Sequence, residues 1–159
     1  MAPDISYKLA EILKARQLTI STAESCTGGL IAHIITMVSG SSGYYSGSVV
    51  SYTNEVKMNV LGVNAESIRQ NTEVSGVVAK EMADGVRNIM RTDIGVSTTG
   101  IAGPTGATPT QPVGTIWIAT TMSDKNIVRC YHFDQDREGN IELAAETALQ
   151  QVIELLTQR

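Results

Sequence analysis

The sequence predicts an α/β protein: a single-domain α/β/α sandwich around a mixed, mostly parallel sheet, closed by a C-terminal hairpin plus helix. Two observations carry that expectation. Strand-like runs rich in β-branched residues alternate with segments of helical periodicity through the first two thirds of the chain. Two strand-like runs then follow one another across a short polar turn. With 159 residues, 42% hydrophobic, the chain is long enough to bury one substantial core, so residues 1–159 read as one domain.

Taken in order, Ile5, Leu9, Ile12 and Leu13 recur at helical spacing and predict an amphipathic helix from about Asp4 to Arg16, with Asp4 near its cap. Leu18 to Thr22 is β-prone, and the apolar run Leu30 to Val38 is a helix that stops at Ser39-Gly-Ser-Ser-Gly43. Ser46 to Thr53 is the second strand. Asn54 caps a short helix that carries Lys57 and ends at Gly62, and Asn64 to Gln70 is another. From Ser75 to Arg91, Val78, Met82, Val86, Ile89 and Met90 trace one face. Ile94 to Thr98 is a strand leading into a glycine-rich loop. Thr115 to Thr121 and Ile127 to Phe133 form a hairpin turning at Ser123 to Asn126. A last helix spans about Asn140 to Thr157, with Ala144, Ala148, Leu149, Val152, Ile153 and Leu156 toward the core.

Bulk properties exclude several functions. A net charge of −4 without a basic cluster argues against a nucleic-acid surface. No apolar run approaches the roughly 18 residues of a spanning helix. The N-terminus lacks a basic stretch followed by an apolar one, so the expectation is a cytoplasmic protein without a signal peptide. Cys26 and Cys130 are the only cysteines, and with His33 and His132 they show no metal-ligand spacing, so no metal site is expected.

The chemistry concentrates in Thr22-Ala-Glu-Ser-Cys-Thr-Gly-Gly-Leu30. A strand that ends in small polar residues and enters a helix leaves backbone N–H groups free, and such a turn collects a phosphate or an oxyanion. Ser25 stands at its mouth as a candidate nucleophile, although Ser25 and Thr27 also suit an N-cap. Cys26, with no adjacent histidine, reads as a packed thiol. Lys57 lies in the first turn of its helix, where the helix dipole opposes a cation. Together with burial and the lack of a carboxylate partner, that would lower its pKa toward a working base. A serine activated by a lysine is a known nucleophile design. Tyr52, at the end of the preceding strand, either donates into the same pocket or is an ordinary strand tyrosine. Thr99-Gly-Ile-Ala-Gly-Pro104 is a third strand-end loop whose glycines permit close approach of a ribose or phosphate. Arg137 pairs either with a phosphate or with Asp134, Asp136 or Glu138.

Five motifs in order, Ala23-Glu-Ser-Cys-Thr-Gly-Gly29, Tyr52-Thr-Asn-Glu-Val-Lys57, Leu61-Gly-Val63, Thr99-Gly-Ile-Ala-Gly-Pro104 and Pro112-Val-Gly-Thr115, resemble the CinA C-terminal domain family over nearly the whole chain. Its enzymatic members are nicotinamide-nucleotide amidohydrolases. The resemblance implies metal-free and cofactor-free hydrolysis of nicotinamide mononucleotide to nicotinate mononucleotide and ammonia in pyridine-nucleotide salvage. It places the nucleophile on Ser25, the base on Lys57 and an assisting tyrosine on Tyr52. Substrate binding falls to Cys26, Thr27, Gly28, Gly29, Thr99, Gly100, Gly103 and Arg137. It also implies a homodimer or larger assembly, with no membrane or nucleic-acid partner. Longer members carry a molybdopterin-binding-like domain for which 159 residues leave no room.

The chain departs from the pattern at Ser46, where an arginine is common, at Thr72-Glu73 in place of Gly-Ala, at Ala107, and at Gln135 in place of a glycine. These departures motivate a second expectation, a regulatory paralogue that binds a nucleotide without efficient turnover. A competence or DNA-damage accessory role is the third.

Overall fold

Strand order decides where this molecule can bind anything. The computed structural model describes residues 2–158. Its elements are α1 (Ala2–Arg16), β1 (Ile20–Glu24), α2 (Leu30–Thr36), a 3₁₀ turn (Ser41–Gly43), β2 (Tyr45–Val50), α3 (Asn54–Asn59), α4 (Ala65–Asn71), α5 (Gly76–Met90), β3 (Ile94–Gly100), β4 (Thr115–Thr121), β5 (Asn126–His132) and α6 (Arg137–Thr157). The five strands form one sheet in the order β2-β1-β3-β4-β5. β1 pairs in parallel with both β2 and β3, while β4 runs antiparallel to β3 and to β5. Four strands therefore point one way and β4 alone is reversed, the mixed sandwich that the alternation of elements implies.

Both faces of the sheet are covered. On one, α1, α2 and α6 bury Leu9, Leu13, Ile31, Ile35, Leu149 and Val152 against Ile20, Val96, Ile116 and Ile118. On the other, α5 lays Val78, Met82 and Val86 beside Ala23, Leu61 and Val63. β1 and β3 are buried from end to end, apart from the last residue of β3, as central parallel strands must be. Among the described residues no helix is long and apolar enough to cross a membrane.

Several boundaries differ from the sequence expectation, each for a local reason. Asp4 lies inside α1, which already starts at Ala2. β1 begins at Ile20 because the N–H of Leu18 closes the end of α1 on the carbonyl of Leu13 at 3.0 Å. Thr53, not Asn54, caps α3: its hydroxyl accepts from the N–H of Val56 at 3.2 Å. α6 begins at Arg137 because the Asp136 carboxylate accepts from the N–H of Gly139 at 2.8 Å. Ile89, on the predicted core face of α5, is 47% exposed. Periodicity sets the direction of a side chain, but it supplies no neighbour to cover it.

The consequence for function is positional. The carboxyl ends of β1, β2 and β3 lie at one edge of the sheet, and β1 is their centre. The crossover after β1 packs on one face and the long crossover after β2 on the other, which opens a crevice at those strand ends.

Candidate active site

The segments leaving β1, β2 and β3 surround a cavity of about 580 Å³, completed by Asn71 to Val74 and by Arg137. Ser25 follows β1 directly, and its N–H donates to the carbonyl of Thr98 on β3 at 3.0 Å. Its side chain is buried at the base of the cavity. Lys57 reaches the same point from α3 with only 1% of its surface exposed. The Lys57 Nζ lies 3.1 Å from Ser25 Oγ and donates to the carbonyl of Ser51 at 3.0 Å. Of the ion pairs among the described residues, none includes Lys57. Burial pushes its pKa below the ordinary lysine value, opposed in part by the negative charge of Glu73 and by Cys26. A buried amine with a lowered pKa, in hydrogen-bond contact with a serine hydroxyl on a cavity wall, can take that hydroxyl's proton.

The turn after β1 departs from the expectation. The anion held at the start of α2 is the protein's own Glu24, wholly buried. Its Oε1 accepts from the N–H of Ile31 at 2.9 Å and the hydroxyl of Thr27 at 2.7 Å. Its Oε2 accepts from the N–H of Ala32 at 2.9 Å and the hydroxyl of Thr22 at 3.2 Å, with Ser48 Oγ at 3.5 Å. No ligand phosphate or oxyanion can occupy a helix start that a carboxylate already fills.

For the same reason Thr27, Gly28 and Gly29 do not line the cavity. The Thr27 hydroxyl is committed to Glu24 and to Thr98 at 2.8 Å. The N–H of Gly28 donates to the carbonyl of Ser25 at 3.1 Å, and Gly29, at φ 105°, is the residue from which α2 starts. Glu24 was missed because a glutamate at a strand end has no local signature of burial. The pattern that could have disclosed it is a carboxylate a few residues ahead of an apolar helix lacking any acidic residue in its first turn.

Of the other candidates, Cys26, Thr99, Gly100, Gly103, Tyr52 and Arg137 all line the cavity. Burial drives the Cys26 thiol up to about 12, so it is an inert packed group. Thr99 donates its hydroxyl to the carbonyl of Glu73 at 2.7 Å. Gly103 has φ 93°, and a Cβ there would collide with Val113, so only glycine fits. Arg137 makes none of the ion pairs offered by Asp134, Asp136 or Glu138. It donates instead to the carbonyl of Gly103 at 2.7 Å and to the Tyr52 hydroxyl at 3.0 Å. Tyr52 is 59% exposed and makes no hydrogen bond to Ser25 or Lys57 among the described residues. Arg137 and Tyr52 thus form one rim, tied to the glycine loop, above the Ser25–Lys57 pair. Gln111, which stood in no motif, also lines the cavity, as do Asn54 and Glu73, which the sequence marked only as a helix cap and as a departure from the family pattern. Among the described residues no group of three or more His, Cys, Asp and Glu side chains is placed to hold a metal ion.

Comparison with known proteins matches this architecture. A family model, the CinA C-terminal domain, matches residues 3–156. The chain is 52% identical over 143 residues to a CinA-like protein of Salinibacter ruber, covering 90% of this chain but only 35% of that protein, so it spans about a third of such longer relatives. It is 42% identical over 147 residues to the nicotinamide-nucleotide amidohydrolase PncC of Escherichia coli, covering 92% of this chain and 89% of that one. Among solved structures, a competence-damaged protein (CinA) superfamily protein of Escherichia coli superposes with a TM-score of 0.94 at 34% identity, covering 98% and 90% of the two chains. A competence/damage inducible protein CihA of Agrobacterium tumefaciens gives the same TM-score and identity, covering 99% and 96%. The chain therefore belongs to the CinA C-terminal domain family.

Proposed function

We propose that the chain hydrolyses the carboxamide of nicotinamide mononucleotide, with Ser25 as nucleophile and Lys57 as its base. The observation that carries this reading is the 3.1 Å contact between Lys57 Nζ and Ser25 Oγ at the base of the cavity. The similarity to a relative named nicotinamide-nucleotide amidohydrolase supports the choice of substrate.

In this reading neutral Lys57 takes the Ser25 proton as Oγ bonds to the carboxamide carbon. The resulting ammonium stands beside the developing oxyanion and then gives its proton to the leaving nitrogen as the C–N bond breaks. Ammonia departs, leaving a nicotinoyl ester on Ser25. Water activated by the same lysine cleaves the ester, releasing nicotinate mononucleotide and restoring the hydroxyl. The Arg137–Tyr52 rim and the Thr99 to Gly103 loop border the rest of the nucleotide.

The test is ammonia release from nicotinamide mononucleotide, with Ser25→Ala and Lys57→Met alongside. Wild-type release that falls by three orders of magnitude or more in each variant is the expected outcome, since residues acting as one unit fail together. A folded wild type that binds the nucleotide and releases nothing would refute the enzymatic reading and favour the regulatory paralogue.

A further inference from the structure

We infer that Glu73 is a specificity-determining carboxylate of this cavity, selecting a carboxamide ring that bears a positive charge over a neutral ring of the same shape. The inference rests on the reading given under Proposed function and deepens it. The segment Thr72 to Ser75, between α4 and α5, is held firmly by its main chain. Thr72 has φ 65° and ψ 169°, a conformation that a β-branched residue adopts only under strain. Its hydroxyl accepts from the N–H of Val74 at 3.2 Å, and its carbonyl accepts from the Ser75 hydroxyl at 3.0 Å. Two further bonds pin the segment to the other cavity walls. Thr99 donates to the Glu73 carbonyl, and Gln111 Nε2 donates to the Val74 carbonyl at 2.7 Å.

The Glu73 side chain is left free. Among the described residues its carboxylate takes part in no ion pair and accepts no hydrogen bond, yet the residue is only half-buried on the cavity wall, close enough for its charge to act on Lys57. While Lys57 is an ammonium the two charges offset each other. Once Lys57 is neutral, the form that can act as base, Glu73 is an uncompensated negative charge on the wall of the cavity that holds Ser25. The ligand chemistry that offsets it is a cation adjoining the carbonyl under attack. A pyridinium carboxamide has that character, because the ring nitrogen attached to ribose is positively charged, whereas its reduced dihydropyridine counterpart is neutral.

The test is equilibrium binding of nicotinamide mononucleotide and of its reduced, neutral-ring form to Ser25→Ala protein, with and without Glu73→Gln. Preference for the cationic ring is expected, with Glu73→Gln weakening that ligand about tenfold and leaving the neutral ring within about twofold. In the active chain, Glu73→Gln should raise KM about tenfold with kcat retained, as loss of uniform binding does. Equal change in both ligands, or no change in either, would overturn the inference. If ammonia release is intact while ring preference is absent, this inference alone fails. If the wild type releases no ammonia, the reading beneath it fails.

Discussion

Replacing Glu24 by glutamine tests how the turn that carries Ser25 is held. The substitution keeps the shape of the side chain and exchanges one acceptor oxygen for an NH₂ donor. Each carboxylate oxygen faces a backbone N–H, from Ile31 or from Ala32, so the new amide must aim its donor at one of them whichever way it flips. One charge-assisted hydrogen bond to the backbone is lost outright, and a second, from Thr27 or Thr22, must reverse its direction. Hydrogen bonds to charged groups contribute about 1.5–3 kcal/mol each, and relief from burying a charge returns part of that. The net loss should be about 2–4 kcal/mol. Unfolding entropy of about 2.1 cal/mol/K per residue makes that a fall of roughly 6–12 °C in Tm for a chain of this length. Thermal unfolding followed by circular dichroism reads it directly, and ammonia release should fall with it because Glu24 precedes Ser25 in the chain. An unchanged Tm would refute the claim that the carboxylate anchors α2.

Two further predictions concern the groups beside Ser25. Lys57 has a lowered pKa in the folded state, so the unfolded chain binds more protons between that value and the ordinary one near 10.5. Stability should therefore rise with pH across that window. Ammonia release should climb along a limb lying below the ordinary lysine value, and Glu73→Gln should move that limb to lower pH because a charge favouring the ammonium is gone. A limb at the free-lysine value would contradict burial as the cause. Cys26, at about 12, has roughly one part in ten thousand as thiolate at about pH 8. Alkylation of the native protein should modify the half-buried Cys130 first, and Cys26→Ala should keep activity within about tenfold. Rapid labelling at Cys26 with loss of activity would make it a rival nucleophile.

How far the site could be read beforehand differs from residue to residue. Ser25 and Lys57 were legible because each follows a strand-like run, and strand ends in an open α/β sheet converge when the strands are parallel. The hairpin of β4 and β5 was legible from two β-rich runs joined by a four-residue polar turn. Arg137 left two readings open, because Asp134, Asp136 and Glu138 all offered it a local partner. Its actual partners, the Gly103 carbonyl and the Tyr52 hydroxyl, are 34 and 85 residues away in the chain. Glu24 went unread for a related reason: a turn that offers backbone N–H groups invites an anion, but nothing local says that the anion is the chain's own.

The sequence by itself determined the periodicities, the strand-end glycines and the chemical types placed near Ser25, because those depend on residues a few positions apart. The tertiary structure alone decided which charges are buried and what compensates them. Glu24 and Lys57 are both charged side chains that a composition count would assign to the surface, and both lie under it. Glu24 is tolerated there by backbone and hydroxyl donors, and Lys57 by the Ser25 hydroxyl, the Ser51 carbonyl and a lowered pKa. Desolvation depends on every atom packed around a group, and those atoms are brought together only when the sheet closes between its two helical layers.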